Sequence, residues 1–318
     1  MNYETVAKDV SSLIRAAPND PNSKYLAQFY SLNTAPEGRI FIVEELLARP
    51  LDRLAPLNDL TQFVRISRDL SRGLLFLHKH GLVHRDLKLD NCGLDHQQQA
   101  KIFDLGSVTS EPGDVLGTIL TRAPELFVAG AKCDNVSDVW ALGATLFALR
   151  TGDYPFVNKS EIEERRLINL KIREGSIDER EAQSRKRVVD AKIRDRIIRP
   201  EAEKELTGLI HGTFRGRTKD ILSSMLRFNR DQRGPICAIE KSWSLLAREF
   251  AGTTGTASTR PRKWEQIKIH LSAAMKNETL LTTKQLDKVI SEYEVDKPSD
   301  QELKNLIRQV KDRMSSAK

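Results

Sequence analysis

Cysteine is scarce in this chain: there are three in 318 residues, and Cys92, Cys133 and Cys237 lie far apart in no metal-like spacing. That excludes a disulfide framework and a zinc finger, and the three are expected to be reduced thiols. Long apolar runs are missing as well, since none approaches the roughly 20 residues that span a bilayer. The opening MNYETVAKDV has neither the basic nor the apolar region of a secretion signal, so the expected location is cytoplasmic and no membrane partner is expected. Aromatic residues reach only 6%, and the net charge of +7 comes from basic residues mixed with acidic ones along the whole length. No stripe of one sign marks a polyanion interface, so nucleic acid is not an expected partner. Glycine does not occur before Gly38, which leaves that stretch without the residue best suited to close backbone approach or positive φ.

What is present is ordinary for a globular chain, with 39% hydrophobic and 30% charged residues. The length suits a main domain plus an appendage. Val6, Val10, Leu13 and Ile14 recur at helical intervals and predict an amphipathic helix over 3–16, closed by Asn19, Asp20, Pro21 and Asn22. Residues 25–32 and 39–46 are rich in β-branched and aromatic types around a polar turn and predict a hairpin. The spacing of Leu60, Phe63, Val64, Ile66, Leu70, Leu74 and Leu77 predicts a helix over 59–80, with Gly81 as its stop. Residues 136–149 predict a buried helix with Ser137 and Asp138 near its start, and 219–228 a further one. The stretch 160–205 mixes both signs of charge and reads as an exposed helical insertion. AGTTGTAST at 251–259 has linker composition. Beyond it, Thr282 with Gln285 and Ser299 with Glu302 have capping-box spacing, which predicts a helical appendage over 260–318.

Transfer of a phosphoryl group needs a carboxylate to orient the acceptor, oxygen ligands for a metal, and positive charge against the developing negative charge. Asp86, Lys88 and Asn91 fall within six positions, and a second carboxylate, Asp104, follows in KIFDLG. Short strands around 93–94 and 101–103 would bring these groups face to face. His78, His80, His84 and His96 make no metal cluster, because His78 and His80 lie two apart on one helix and point different ways.

The run His84-Arg85-Asp86-Leu87-Lys88-Leu89-Asp90-Asn91 resembles the catalytic-loop signature of eukaryotic-type protein kinases, and Asp104-Leu105-Gly106 resembles their D-F-G element. The similarity continues in order through Gly117-Thr118, Ala123-Pro124-Glu125, the run from Ser137 to Gly143, and Arg230-Asp231-Gln232-Arg233, covering about residues 1–250. It implies an α+β, protein-kinase-like fold: a mostly helical catalytic lobe over 47–250, a partial small β lobe and hinge over 1–46, the 251–259 linker and the appendage. It also implies Mg²⁺ and ATP as cofactors. Asp86 would orient the acceptor hydroxyl, and Lys88 would neutralise the transferring group and contact the nucleotide. Asn91 and Asp104 would hold Mg²⁺ and the phosphates, and the hinge with Glu44 and Leu46 would meet adenine. Arg85 would face the activation segment, Asp138 the catalytic-loop backbone, and Glu125 and Arg233 would form a buried pair.

The chain departs from the family pattern before the hinge. There is no glycine-rich loop in the usual place, Lys8 is the nearest counterpart of the strand lysine and Asp9 of the helix glutamate, and Gly93 stands where a large apolar residue usually floors the adenine pocket. A truncated or reduced N-terminal lobe is expected. The expected function is a serine/threonine-type protein kinase acting on a protein hydroxyl, with a pseudokinase-like scaffold as the alternative. The segments 160–205 and 260–318 are the expected contacts for a partner protein.

Overall fold

The computed structural model describes residues 20–34, 40–110, 113, 115 and 117–253. The predicted helix over 3–16, with Lys8 and Asp9, and the appendage lie outside the described residues. The chain divides into two units, 1–248 and 249–318; the description below concerns the first.

A two-stranded antiparallel sheet opens it, β1 (Phe29–Thr34) against β2 (Ile40–Glu44), with Thr34 facing Ile40 and Phe29 facing Glu44. The hairpin is shorter than residues 25–32 and 39–46 suggest, for a tertiary reason. Ser23–Tyr25 forms a 3-10 turn tied to Asp20, the Ala27 amide donates to the Ile102 carbonyl at 2.8 Å, and Tyr25 and Leu26 are buried. Their side chains join the main core, so the backbone there is not free to extend β1.

The next strands are β3 (Arg49–Pro50), β4 (Cys92–Leu94) and β5 (Ala100–Ile102), antiparallel in that order. Between β3 and β4 runs α1 (Leu60–Lys79). Asp59 caps it by accepting from the Gln62 amide at 3.0 Å, and Gly81, at φ +71, ends it. Its apolar stripe, from Phe63 through Leu77, is buried. Helix α2 (Asn135–Thr151) is buried on every side from Ser137 to Leu149, as its mostly apolar sequence requires. Asp134 and Ser137 form a reciprocal capping box at its start.

Four more helices follow: α3 (Lys159–Arg173), α4 (Glu179–Ile197), α5 (Ala202–Thr213) and α6 (Gly216–Met225). The expected exposed, charged helical insertion takes the form of a hairpin of α3 and α4, most of whose residues are exposed, with α4 lying near the turn Ile119–Thr121. Ile168, Ala182, Val189, Ile193 and Ile197 are buried, and Arg165–Asp190 and Arg196–Glu161 ion pairs join the two helices. Helix α6 begins and ends three residues earlier than 219–228, since the chain leaves helical geometry at Leu226 and Phe228 turns in to meet the Trp140 and Phe156 rings edge-on. The last described helix, α7 (Ile236–Thr253), is absent from the sequence expectation and runs three residues into the linker-like stretch. It contributes Trp243, which packs edge-on against Phe63, and Phe63 and Phe147 both meet Phe214.

Arg233 closes the lobe. Its two terminal nitrogens bond both Glu125 oxygens at 2.6 and 2.7 Å, its Nε donates to the Arg227 carbonyl at 2.7 Å, and its guanidinium lies 5.0 Å from the Trp140 ring. The side chain is 0% exposed. Arg233→Ala would leave the Glu125 carboxylate without its partner, and breaking one side of such a pair typically costs about 3–5 kcal/mol. The expected result is a large fall in the urea unfolding midpoint; an unchanged midpoint would show that the pair does not hold the lobe together.

Candidate active site

The loop after α1 is shaped by one carboxylate. Asp138, in the first turn of α2 and 1% exposed, accepts from the His84 amide at 2.7 Å and the Arg85 amide at 2.9 Å, with His78 Nε2 at 3.0 Å. These bonds hold Arg85 at φ +67, a left-handed conformation that a side chain with a Cβ rarely adopts. The guanidinium of Arg85 then turns inward, where Nε donates to the Ser107 carbonyl at 2.6 Å. His84 is fully buried, and burial holds its imidazole below the usual pKa despite the opposing carboxylates of Asp138, Asp86 and Asp104.

Asp86, next in the chain, keeps its carboxylate at the rim of the lobe. Oδ1 accepts from the Thr118 amide at 2.9 Å, and Oδ2 receives the Lys88 ammonium at 2.6 Å and Asn91 Nδ2 at 3.1 Å. Asn91 Nδ2 also bonds the Asp86 carbonyl at 2.8 Å, which fixes the amide orientation and leaves its Oδ1 as the available oxygen ligand. Below the loop, Tyr154 Oη accepts from the Leu89 amide at 3.0 Å, and burial pushes its hydroxyl far above the usual phenol range. Tyr154 is a support that no motif marks.

Three of the expected site residues, Asp86, Lys88 and Asn91, thus meet on one carboxylate. Asp104 follows β5 on the facing segment, where the Phe103 amide donates to the Asn91 carbonyl at 2.9 Å; it sits at φ +58, again left-handed. Glu44 lies against Asp104. Its carboxyl is raised above the usual range by partial burial first and by the Asp104 charge second, while the Asp104 amide pulls the other way. Leu46 points to solvent and is 84% exposed. The residue that approaches the site is Leu47: a Cβ placed on Gly93 would stand 2.8 Å from Leu47 Cδ1. The sequence shows a missing side chain at Gly93 but not which neighbour takes its room. Glu45 anchors the same segment, accepting from Lys101 Nζ at 2.6 and 2.8 Å and from the Gln28 amide at 3.0 Å.

Residues 18–243 match the family described as "Protein kinase domain". The chain belongs to that family. Relatives named "Dual serine/threonine and tyrosine protein kinase" from Pimephales promelas and Homo sapiens are 45% identical over 96 and 92 residues, 29% and 28% of this chain and 10% of each relative. The counterpart from Takifugu rubripes is 44% identical over 96 residues, 29% of this chain and 10% of that relative. The matched stretch therefore spans about a tenth of those relatives' length. The α+β kinase fold and the small size of the described β lobe agree with the sequence expectation. Among the described residues no helix is long and apolar enough to cross a membrane.

Within the kinase architecture Gly117 has a specific duty. At φ +78, its ideal Cβ would lie 2.4 Å from the Arg85 carbonyl oxygen and 2.8 Å from Asp86 Oδ1, whereas at Gly130, φ +77, nothing lies within 4 Å. Alanine at either position incurs the cost of positive φ, about 1–2 kcal/mol, but only Gly117→Ala also displaces the Asp86 carboxylate. Gly117→Ala is expected to lower the unfolding free energy by about 1–3 kcal/mol more than Gly130→Ala does, the range for forcing atoms into a packed site. Equal losses in paired denaturation curves would contradict the close approach.

Proposed function

We propose that this kinase-family chain transfers the γ-phosphoryl of ATP to a serine or threonine hydroxyl of a protein substrate. The observation that carries the reading is the set of donors converging on Asp86: the Thr118 amide, the Lys88 ammonium and the Asn91 amide orient a carboxylate at the lobe's rim. Held this way, Asp86 would accept or orient the proton of an acceptor hydroxyl, and Lys88 would turn from Asp86 to the transferring group when substrate is present. Asp104 and Asn91 Oδ1 supply hard oxygen ligands of the type Mg²⁺ uses together with phosphate oxygens and water. Bound there, Mg²⁺ would neutralise phosphate charge. The backbone at the end of β2, Glu44, and just beyond it, Leu46, is assigned to adenine.

The proposed layout is a kinase unit over 1–250, a linker over 251–259 and a helical appendage over 260–318, supported by the division of the chain at Arg248. The charged segment 160–205 and the appendage are the proposed contacts for a partner protein. A cytoplasmic location is proposed, in keeping with Cys92, Cys133 and Cys237 being free thiols.

A scaffold without efficient catalysis is the second reading, and a specific feature favours it. Glu44 sets a second carboxylate beside Asp104, and residues 1–37 of this chain contain no glycine from which to build a glycine-rich loop over the phosphates. Each lost hydrogen bond to a charged group forfeits about 1.5–3 kcal/mol. Calorimetric titration of Mg·ATP into the 318-residue chain is expected to give a Kd weaker than about 100 μM, since two such losses move affinity by orders of magnitude. Transfer to a generic acceptor protein at saturating Mg·ATP is expected to be measurable and to vanish in Asp86→Asn while circular dichroism shows the chain still folded. Transfer surviving in Asp86→Asn would remove the catalytic assignment, and no transfer by the parent at any Mg·ATP concentration would leave the scaffold.

A further inference from the structure

One ammonium group joins two parts of the chain that the site needs in register. Lys101 lies on β5, shortly before Asp104, and its Nζ bonds both oxygens of Glu45, at 2.6 and 2.8 Å. The same nitrogen stands 3.4 Å from Asp95 Oδ2, while Asp95 Oδ1 is held by the Gln97 and Gln99 amides, each at 2.9 Å. The side chains are largely shielded, with Lys101 12%, Glu45 18% and Asp95 7% exposed. A single cation therefore serves two carboxylates with little help from solvent, and removing it would leave like charges close together. Strand β5 is itself fixed. Ile102 pairs with Cys92 on β4, its carbonyl accepts from the Ala27 amide at 2.8 Å, and the next amide, that of Phe103, bonds the Asn91 carbonyl at 2.9 Å. Glu45 is held on its other flank by Gln28: its amide donates to the Gln28 carbonyl at 2.7 Å, and its Oε2 accepts from the Gln28 amide at 3.0 Å.

We infer that Lys101 is a positioning residue, which ties the segment Glu44–Leu46 to β5 and so holds its backbone in place for adenine. Lys101 acts through Glu45 rather than on the nucleotide, and the backbone assigned to the base belongs to the residues on either side of Glu45. Because β5 leads directly into Asp104, the strand that carries the proposed Mg²⁺ ligand also carries the hold on the base-binding backbone. Each bond in the path is a direct one: Lys101 to Glu45, Glu45 to Gln28, and the neighbouring Ala27 back to Ile102. The ring closes on the residue after Lys101, so loss of the ammonium opens it at a single link. The part played by adenine rests on the proposed use of ATP; the hold of Lys101 on Glu45 does not.

The test compares the full chain with three variants. Lys101→Met removes the charge, Lys101→Arg restores it with a group suited to a carboxylate, and Asp95→Asn removes the second acid while sparing the Glu45 pair. Two quantities are read: hydrogen exchange of the Glu45 amide, and the dissociation constants of Mg·ATP and of Mg·tripolyphosphate, which offers phosphates without a base. In Lys101→Met the Glu45 amide is expected to exchange roughly tenfold faster or more by local opening, while Leu70–Leu77 in α1 keep their protection. Mg·ATP is expected to bind roughly tenfold more weakly, since the segment that meets the base is no longer preorganised, with Mg·tripolyphosphate unchanged. Lys101→Arg and Asp95→Asn are expected to match the parent in both quantities. A general structural loss would instead weaken both ligands together or expose α1 as well, and either result, like an unchanged Glu45 amide in Lys101→Met, would overturn the inference. A parent that binds Mg·tripolyphosphate as tightly as Mg·ATP would remove adenine from this segment and overturn the positioning role, leaving only the hold on Glu45, which the exchange of its amide reports separately.

Discussion

The geometry of the site depends on a single buried carboxylate. Asp138 is anchored in the first turn of a helix that is buried on every side, so it cannot move without unpacking the lobe. An unpaired carboxylate there would be costly, and the His84 and Arg85 amides together with His78 compensate it. Those bonds offset the strain of Arg85, whose left-handed backbone sends its side chain inward and delivers Asp86 to the rim. Everything that converges on Asp86 is one or two links from Asp138.

Two further constraints act on the same few residues. From the side of Ala100–Ile102, the Phe103 amide on the Asn91 carbonyl ties the segment bearing Asp104 to the loop bearing Asp86. From the other side, Gly117 approaches so closely that the Arg85 carbonyl and the Asp86 carboxylate share its missing side-chain volume. The described β lobe is tied to the catalytic lobe by the Glu45–Lys101 pair and by the Ala27–Ile102 backbone bond beside buried Tyr25 and Leu26. The side of the site next to Asp104 is therefore built around acids, Asp104 and Glu44, while the side next to Thr118 is built around donors.

Much of this was legible in the sequence because it is local. The residues from His84 to Asn91 sit on one turn, so their spacing alone implies that their side chains converge, and α1 announces itself through its periodicity and α2 through its apolar run. Tertiary choices were not legible. Nothing in the composition of Tyr25 and Leu26 says that they leave the hairpin for the core. The alternating charges of 160–205 hide a narrow buried stripe of Ile168, Ala182, Val189, Ile193 and Ile197, because five apolar positions among many charges carry too weak a periodic signal. Tyr154 and Leu47 act through contacts across long sequence separations, which no spacing rule reaches. The stripe Ile236, Ile239, Trp243 and Leu246 of α7, by contrast, has helical period and is readable in the sequence.

Asp138→Asn tests the dependence of the site on that carboxylate most directly. Asparagine keeps the shape but offers one acceptor oxygen and an NH₂ group where two amides and an imidazole converge. Native-state hydrogen exchange resolved at His84 and Arg85 is the measurement. In the parent both amides should exchange only through global unfolding. In Asp138→Asn they should exchange by a local opening, while Leu70–Leu77 in α1 stays protected. Protection of His84 and Arg85 unchanged by the substitution would contradict the account, because the loop would then be held by something other than Asp138.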